Sequence, residues 1–164
     1  MPAGKEHLRL ELGLLPVFLG GVWLLGRDVL SLPEVAAFGG AYLLSSLLLS
    51  PDLDLRYNSA RRRWGPLGFI WIPYSKVFKH RGLSHNPLLG PPTRIGYLFL
   101  IGALVVFFLH LLGLEVNFHL SVNRYLLAMI ALGLYLPNFL HIFYDWLDSR
   151  FRPRKRKRER ERRR

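Results

Sequence analysis

The chain contains no cysteine in its 164 residues. This absence excludes disulfide bonds, and it also excludes a metal site built on thiolate ligands. Any metal that the protein binds must be held by imidazole, carboxylate or water, which suits zinc, manganese, iron or magnesium. No internal repeat is present either, and the length predicts a single domain over residues 1–150. Residues 151–164 form a basic tail that is too charged to bury apolar surface, so we predict disorder or a frayed helix there.

The N-terminus lacks the features of a cleaved secretory signal. Glu6 and Glu11 interrupt its start, and no small-residue cleavage site follows at the usual distance. We therefore expect the first apolar run, at 12–25, to be retained as a helix. This run becomes long enough to cross a membrane if Leu8 and Leu10 join it.

The hydrophobic residues, 51% of the chain, cluster into four runs at 12–25, 35–49, 95–114 and 125–147. This clustering, more than the mean hydropathy of +0.19, indicates membrane spans instead of a dense soluble core. The predicted fold is all-α, an integral membrane bundle of about four transmembrane helices with a polar cytoplasmic loop region that carries a metal site. The second run contains small residues of the kind that let helices pack closely in lipid: Gly39, Gly40, Ala41, Ser45 and Ser46.

The interval at 51–94 has a mixed character. Its prolines and glycines argue against a long regular helix. Trp64, Trp71 and Tyr74 are amphipathic aromatic residues of the kind found at the boundary between lipid and water. The arginines at 61–63 suggest contact with anionic headgroups, and the alternative is a solvated loop with an ordinary excess of basic residues.

The distribution of basic residues predicts the orientation. Short loops that face the cytoplasm carry the excess of Lys and Arg. The interval at 51–94 and the tail are rich in both, whereas the connections at 26–34 and 115–124 are poor in them. The prediction is a multi-pass protein of the inner (plasma) membrane with both termini in the cytoplasm.

Candidate metal ligands all fall on the cytoplasmic side of this topology. They are His7, Asp52, Asp54, His80, His85, His141 and Asp145. The topology rests on Lys and Arg alone, and random placement would scatter the acids and histidines over both sides. Their coincidence on one side therefore predicts one shared site.

Three pairs of these residues have spacings with a structural meaning. His141 and Asp145 are four residues apart, so a helix would project both from one face as half of a metal site. The alternative is an amphipathic helix end with Asp145 in water. His80 and His85 are too far round a helix to share a face, so Gly82 must supply a turn. The alternative there is a basic loop whose histidines contact phosphate or water.

Asp52 and Asp54 form the third pair. In an extended or turn backbone, a spacing of two puts both carboxylates on one side. Two adjacent anions repel unless a cation neutralises them, which favours a metal. The alternative is a helix cap formed with Ser50, and His7 has the simpler alternative of a polar N-terminal residue.

These polar segments resemble a known family. The most specific pieces are Pro-Asp-Leu-Asp at 51–54 and His-Arg-Gly-Leu-Ser-His at 80–85. With the segments at 4–7, 63–67, 70–74 and 141–145, they resemble an uncharacterised family of bacterial and archaeal metal-binding membrane proteins. That family is akin to inner-membrane metal-dependent hydrolases, and it is distantly similar to zinc-dependent phospholipase C and P1-type nucleases. The resemblance implies phosphoester chemistry and more than one zinc, which Asp52 or Asp54 could bridge.

Together, these inferences favour a membrane-bound metal-dependent hydrolase that acts on phosphoesters or lipid headgroups at the cytoplasmic face. The divalent metal, zinc or else manganese or iron, would activate water. Arg81 would neutralise an anionic substrate oxygen, and Asp54 or His85 could be a general base. The alternative is a non-enzymatic, metal-stabilised membrane adaptor whose basic tail binds anionic lipid or nucleic acid. A transporter is disfavoured because transport sites lie near the midplane, not at one face.

Overall fold

The structure, a computed structural model, describes residues 3–54, 59–78, 86–115 and 123–151. Within these ranges every regular element is helical, which confirms the predicted all-α class. The long helices are α1 (Ala3–Gly26), α2 (Leu32–Leu48), α5 (Gly90–Leu111) and α6 (Arg124–Phe151), and the short ones are α3 (Ser59–Arg63) and α4 (Trp71–Val77). Two 3-10 helices cover Pro51–Asp54 and Gly65–Ile70. In the described part of the chain, four helices are long and apolar enough to cross a membrane.

The ends of the long helices follow local sequence rules. Helix α1 includes Leu8 and Leu10, as its predicted length required. At the start of α2, the Ser31 backbone N–H donates to the Glu34 carboxylate at 2.9 Å and so satisfies an amide that the helix leaves unpaired. Helix α5 begins before its apolar run. Pro91 is favourable in the first turn, because the backbone N–H that proline lacks would have no partner within the helix at that position.

The most extensive helix contact joins α2 to α6. A Cβ atom at Gly133 would lie 2.5 Å from the Phe38 carbonyl oxygen and 2.9 Å from the Ala41 Cβ, so only glycine permits this approach. The Ser45 hydroxyl donates to the Leu134 carbonyl at 2.8 Å across the same interface. The prediction that small residues of α2 contact other helices is confirmed at these positions, whereas Gly40 faces open space.

The short helices pack beneath the end of α2 around buried aromatic rings. Trp71 and Tyr74 are 0% and 1% exposed, and their ring centroids lie 5.4 Å apart in an edge-on contact. They pack with Leu53 and Ala60 in one hydrophobic cluster. The expectation that these two aromatic residues lie at the boundary between lipid and water is therefore wrong. The short helices fold back onto the bundle and bury the rings inside the protein.

The arginines of α3 have structural partners as well. The Arg63 Nη1 donates to the Leu47 carbonyl at 2.8 Å, next to the bond from Trp64 Nε1 to the Leu48 carbonyl at 2.9 Å. Both bonds satisfy carbonyl groups that the end of α2 leaves unpaired. Arg61 Nε donates to the Gly68 carbonyl, also at 2.8 Å. Of the three arginines predicted to contact headgroups, Arg62 is the exposed one and stays the candidate for that contact.

A buried cation connects α5 to α2 and α6. Arg94 is 0% exposed, and its guanidinium donates to the Leu49 carbonyl and to the Asn138 side-chain oxygen. The Asn138 amide in turn donates to the Ser45 hydroxyl at 2.8 Å. A charge within an apolar helix needs such partners. These contacts place the start of α5, the end of α2 and the second half of α6 at one end of the bundle.

Candidate metal site

Side chains from three separate segments meet at this end of the bundle. His7 of α1 lies with its Nε2 3.1 Å from Asp145 Oδ1 of α6. His141 Nε2 lies 3.8 Å from Asp52 Oδ2, which follows α2, and 3.9 Å from Asp145 Oδ2. The two imidazole rings are 4.8 Å apart. The structure thus brings together four of the residues that the sequence singled out.

The distances between these donor atoms fit ligands of one common ion, but their arrangement does not. Donor atoms that share one zinc at about 2.0–2.2 Å lie roughly 3–4.5 Å from each other, and each of the three contacts falls in that range. Among the described residues, however, no group of three or more His, Asp or Glu side chains is placed so that it could hold a metal ion. The role of these residues as ligands therefore stays a prediction.

The remaining predicted residues have different positions. His80, Arg81 and His85 lie outside the described residues. Asp54 is 5% exposed, and its charge interacts with the Arg94 guanidinium. The expectation that Asp52 and Asp54 share one side assumed an extended or turn backbone. The segment is a 3-10 helix, in which residues two apart point about 120° away from each other.

Glu11 is a member of the cluster that the sequence analysis missed. Its Oε1 lies 3.1 Å from His141 Nδ1, and both side chains are 4% exposed. Glu11 follows His7 by four residues and so shares its helical face, as Asp145 shares that of His141. The signal is therefore present in the spacing, although Glu11 also interrupts a segment that resembles a secretory signal.

The chemistry of the cluster suits a divalent cation. Three carboxylates, from Glu11, Asp52 and Asp145, surround two imidazoles, and crowded anions favour a bound positive charge. His7 Nδ1 is buried without a hydrogen-bond partner among the described residues, which costs on the order of 1–3 kcal/mol. The donor atoms are nitrogen and oxygen, as zinc, manganese or iron accept.

Comparison with known families supports a metal ion as the ligand. Residues 2–155 match the family described as uncharacterized metal-binding protein (DUF2227). The chain belongs to this family. An uncharacterized protein of Aquifex aeolicus (strain VF5) is 44% identical over 61 residues, which are 37% of this chain and 43% of that protein. The matched part thus spans less than half of that relative. No solved structure matches the chain.

In this member of the metal-binding family, a polar cleft adjoins the cluster. Its empty volume is about 210 Å³, including the part open to solvent. Its polar walls come from Glu11, Ser46, Ser50, Asp52, Ser59, Arg63 and His141. Burial lowers the pKa of the Arg63 guanidinium, and the nearby Glu11 carboxylate acts in the opposite direction. The cleft therefore offers a cation and hydroxyl groups beside the acids.

Proposed function

We propose that this member of the family is an integral membrane, metal-dependent hydrolase that acts on phosphoesters or lipid headgroups at the cytoplasmic face of the inner membrane. One observation carries the proposal. His7, Asp52, His141 and Asp145 come from distant parts of the chain and meet at one end of a bundle whose helices are apolar. Such a cluster of acids and imidazoles is costly to assemble unless an ion or a reaction requires it.

Membrane insertion is supported by the surface of the long helices. Phe99 and Phe108 of α5 are 79% and 60% exposed, and the most apolar stretch of this helix is 6% buried. A soluble monomer rarely exposes contiguous apolar surface of this extent, whereas lipid accepts it. The proposed cytoplasmic orientation rests on the excess of basic residues at 51–94, the interval that contains Asp52 of the cluster and Arg63 of the adjoining cleft.

The residues divide into those that hold a metal and those that receive a substrate. His7, Asp52, His141 and Asp145 hold the ion in this proposal, with His80 and His85 completing the set. A divalent metal supplies Lewis-acid chemistry for hydrolysis. Arg81 binds an anionic substrate oxygen, as guanidinium pairs well with phosphate. Asp54 stays a candidate general base, although its burial beside Arg94 favours a role in holding the 3-10 helix.

Metal content tests the proposal first. The full-length protein is purified in detergent and its bound metal is measured by elemental analysis. We expect about one zinc, manganese or iron per chain or more, and a loss of most of it in His141→Ala and Asp145→Ala. His110→Ala is the matched control, because His110 is an exposed imidazole at the other end of α5. Negligible metal in the wild type, or equal loss in the control, would contradict the proposal.

Hydrolysis is the second readout. The metal-loaded protein is screened against phosphomonoesters, phosphodiesters and phospholipids. We expect turnover with at least one of these classes and its loss in Asp52→Ala, with Asp28→Ala as the control because Asp28 is an exposed acid at the opposite end. Full metal content without turnover on any class would remove the hydrolase assignment and leave the metal site.

That last outcome would support a second candidate, a metal-stabilised membrane adaptor without catalysis. The size of the cleft favours it, because the volume that a water-sized molecule can occupy there is about 10 Å³, far below the roughly 300–1,000 Å³ of most ligand pockets. In this case the basic tail binds anionic lipid or nucleic acid. Deletion of residues 152–164 would then abolish binding to anionic vesicles or RNA, whereas a hydrolase would keep its turnover after the deletion.

A further inference from the structure

We propose that Glu11 is a positioning residue that holds the His141 imidazole with its proton on Nδ1, so that the free lone pair of Nε2 faces Asp52 and Asp145. The purpose of this tautomer, a lone pair on Nε2 that can bind a metal, rests on the proposed function. The tautomer itself is a property of the protein alone. The two ideas can therefore fail separately.

The contacts of the two ring nitrogens carry the inference. His141 Nδ1 lies 3.1 Å from Glu11 Oε1, at hydrogen-bond distance. The other nitrogen, Nε2, lies 3.8 Å from Asp52 and 3.9 Å from Asp145, too far for a hydrogen bond to either carboxylate. A neutral imidazole carries one proton, and the nitrogen with the carboxylate acceptor keeps it. The lone pair is thus left on Nε2.

Burial strengthens the preference for the proton on Nδ1 of His141. The side chains of Glu11 and His141 are each 4% exposed, so little water competes for either partner. A hydrogen bond to an ionised carboxylate is about twice as strong as one between neutral groups. Metal-binding histidines commonly donate their second ring N–H to a carboxylate, which fixes the ring and raises its basicity as a ligand.

Helix α1 keeps Glu11 in place through two further contacts. The buried Tyr42 hydroxyl of α2 donates to the Glu11 backbone carbonyl at 2.8 Å. One turn earlier on the same face, His7 contacts Asp145, so α1 and α6 are joined by two pairs of side chains with the same four-residue spacing. The carboxylate therefore reaches the ring from a fixed backbone position.

The geometry also separates Glu11 from the ligands. Its carboxylate occupies the Nδ1 side of the ring, whereas Asp52 and Asp145 lie on the Nε2 side. An ion bound at Nε2 would be on the opposite side of the imidazole from the Glu11 oxygen at Nδ1. Glu11 thus acts on such an ion through His141 and does not bind it directly.

Nitrogen spectroscopy of the imidazoles tests the tautomer. Full-length protein labelled with ¹⁵N-histidine is freed of metal with a chelator and measured in detergent at mildly alkaline pH, with His141→Gln used to assign the signal. We expect His141 to be protonated on Nδ1 alone. Glu11→Leu should lose this single tautomer, Glu11→Gln should retain it because the amide oxygen can still accept, and the exposed-site control Glu6→Gln should not change it.

Zinc affinity, measured by competition with a chromophoric chelator, tests the purpose of this arrangement. Loss of the carboxylate should weaken binding about 10- to 100-fold in Glu11→Leu and less in Glu11→Gln. A His141 proton on Nε2 or on both nitrogens would overturn the inference, as would unchanged affinity in Glu11→Leu. A loss in Glu11→Gln as complete as in His141→Ala would make Glu11 a ligand instead. If the wild type binds no metal but shows the Nδ1 tautomer, the proposed function fails and the positioning by Glu11 stands.

Discussion

Helices α2 and α5 differ in a way that hydropathy does not anticipate. The most apolar stretch of α5 has the higher mean hydropathy, 2.0 against 1.5 for the span that contains α2. Yet 6% of the α5 stretch is buried in the protein, compared with 50% of the α2 stretch. The apolar helix thus faces outwards, and the helix with small and polar residues packs against its neighbours. This is the arrangement expected in lipid, where helices associate through packing and hydrogen bonds and not through hydrophobicity.

The difference has a consequence for the candidate site. Asp52 follows α2, and His141 and Asp145 belong to α6, so their distances depend on the interface between these two helices. Helix α5 contributes through the buried Arg94 and not through its apolar length. Substitutions at the α2–α6 interface should therefore disturb both stability and the site, whereas matched substitutions on α5 should disturb neither.

The largest contrast is expected between two phenylalanines. Phe38 of α2 is 0% exposed, whereas Phe99 of α5 is 79% exposed. Phe38→Ala leaves a cavity and should cost about 3 kcal/mol or more, whereas Phe99→Ala should change the free energy of unfolding by less than about 0.5 kcal/mol. Thermal unfolding in detergent measures both. Equal losses would mean that α5 is packed as tightly as α2.

A smaller contrast is expected between two glycines. A side chain at Gly133 would meet the Phe38 carbonyl and the Tyr42 amide, both backbone groups, whereas a Cβ at Gly102 meets nothing within 4 Å. Gly133→Leu should therefore force α2 and α6 apart and cost about 2–3 kcal/mol. Gly102→Leu should be neutral in the same unfolding assay. A harmless Gly133→Leu would contradict the close approach of the two helices.

The smallest of the three losses of stability is expected at Asn138. Its side chain accepts a hydrogen bond from Arg94 and donates one to Ser45. Asn138→Leu keeps the volume but removes a partner of a buried cation, and it should cost about 2 kcal/mol. The adjacent Phe139 is 56% exposed, so Phe139→Leu is the control and should be close to neutral. A loss confined to the control would reject the buried polar network.

The sequence allowed the long helices to be predicted because an apolar run of the right length is a local signal. The orientation predicted from the basic residues places His7, Asp52, His141 and Asp145 on one side, and the structure brings these four side chains to one end of the bundle. The burial of Trp71 and Arg94 could not be predicted in this way. Trp71 has the amphipathic character of a boundary residue and Arg94 is charged, and both are enclosed by contacts with residues distant along the chain.

Glu11 shows a different limit. Its partner, His141, lies 130 positions away along the chain, so no local pattern joins them. The four-residue spacing from His7 would have indicated a shared helical face, but not which residue of another helix that face meets. The candidate ligands are therefore easier to predict from the sequence than the carboxylate that contacts one of them.

X-ray absorption spectroscopy of the zinc-loaded, full-length protein tests the convergence of these side chains most directly. The account predicts nitrogen and oxygen ligands at about 2.0–2.2 Å, with imidazole scattering that decreases in His141→Ala and is unchanged in His110→Ala. A protein that retains no zinc, or an imidazole signal that His141→Ala leaves untouched, would contradict it.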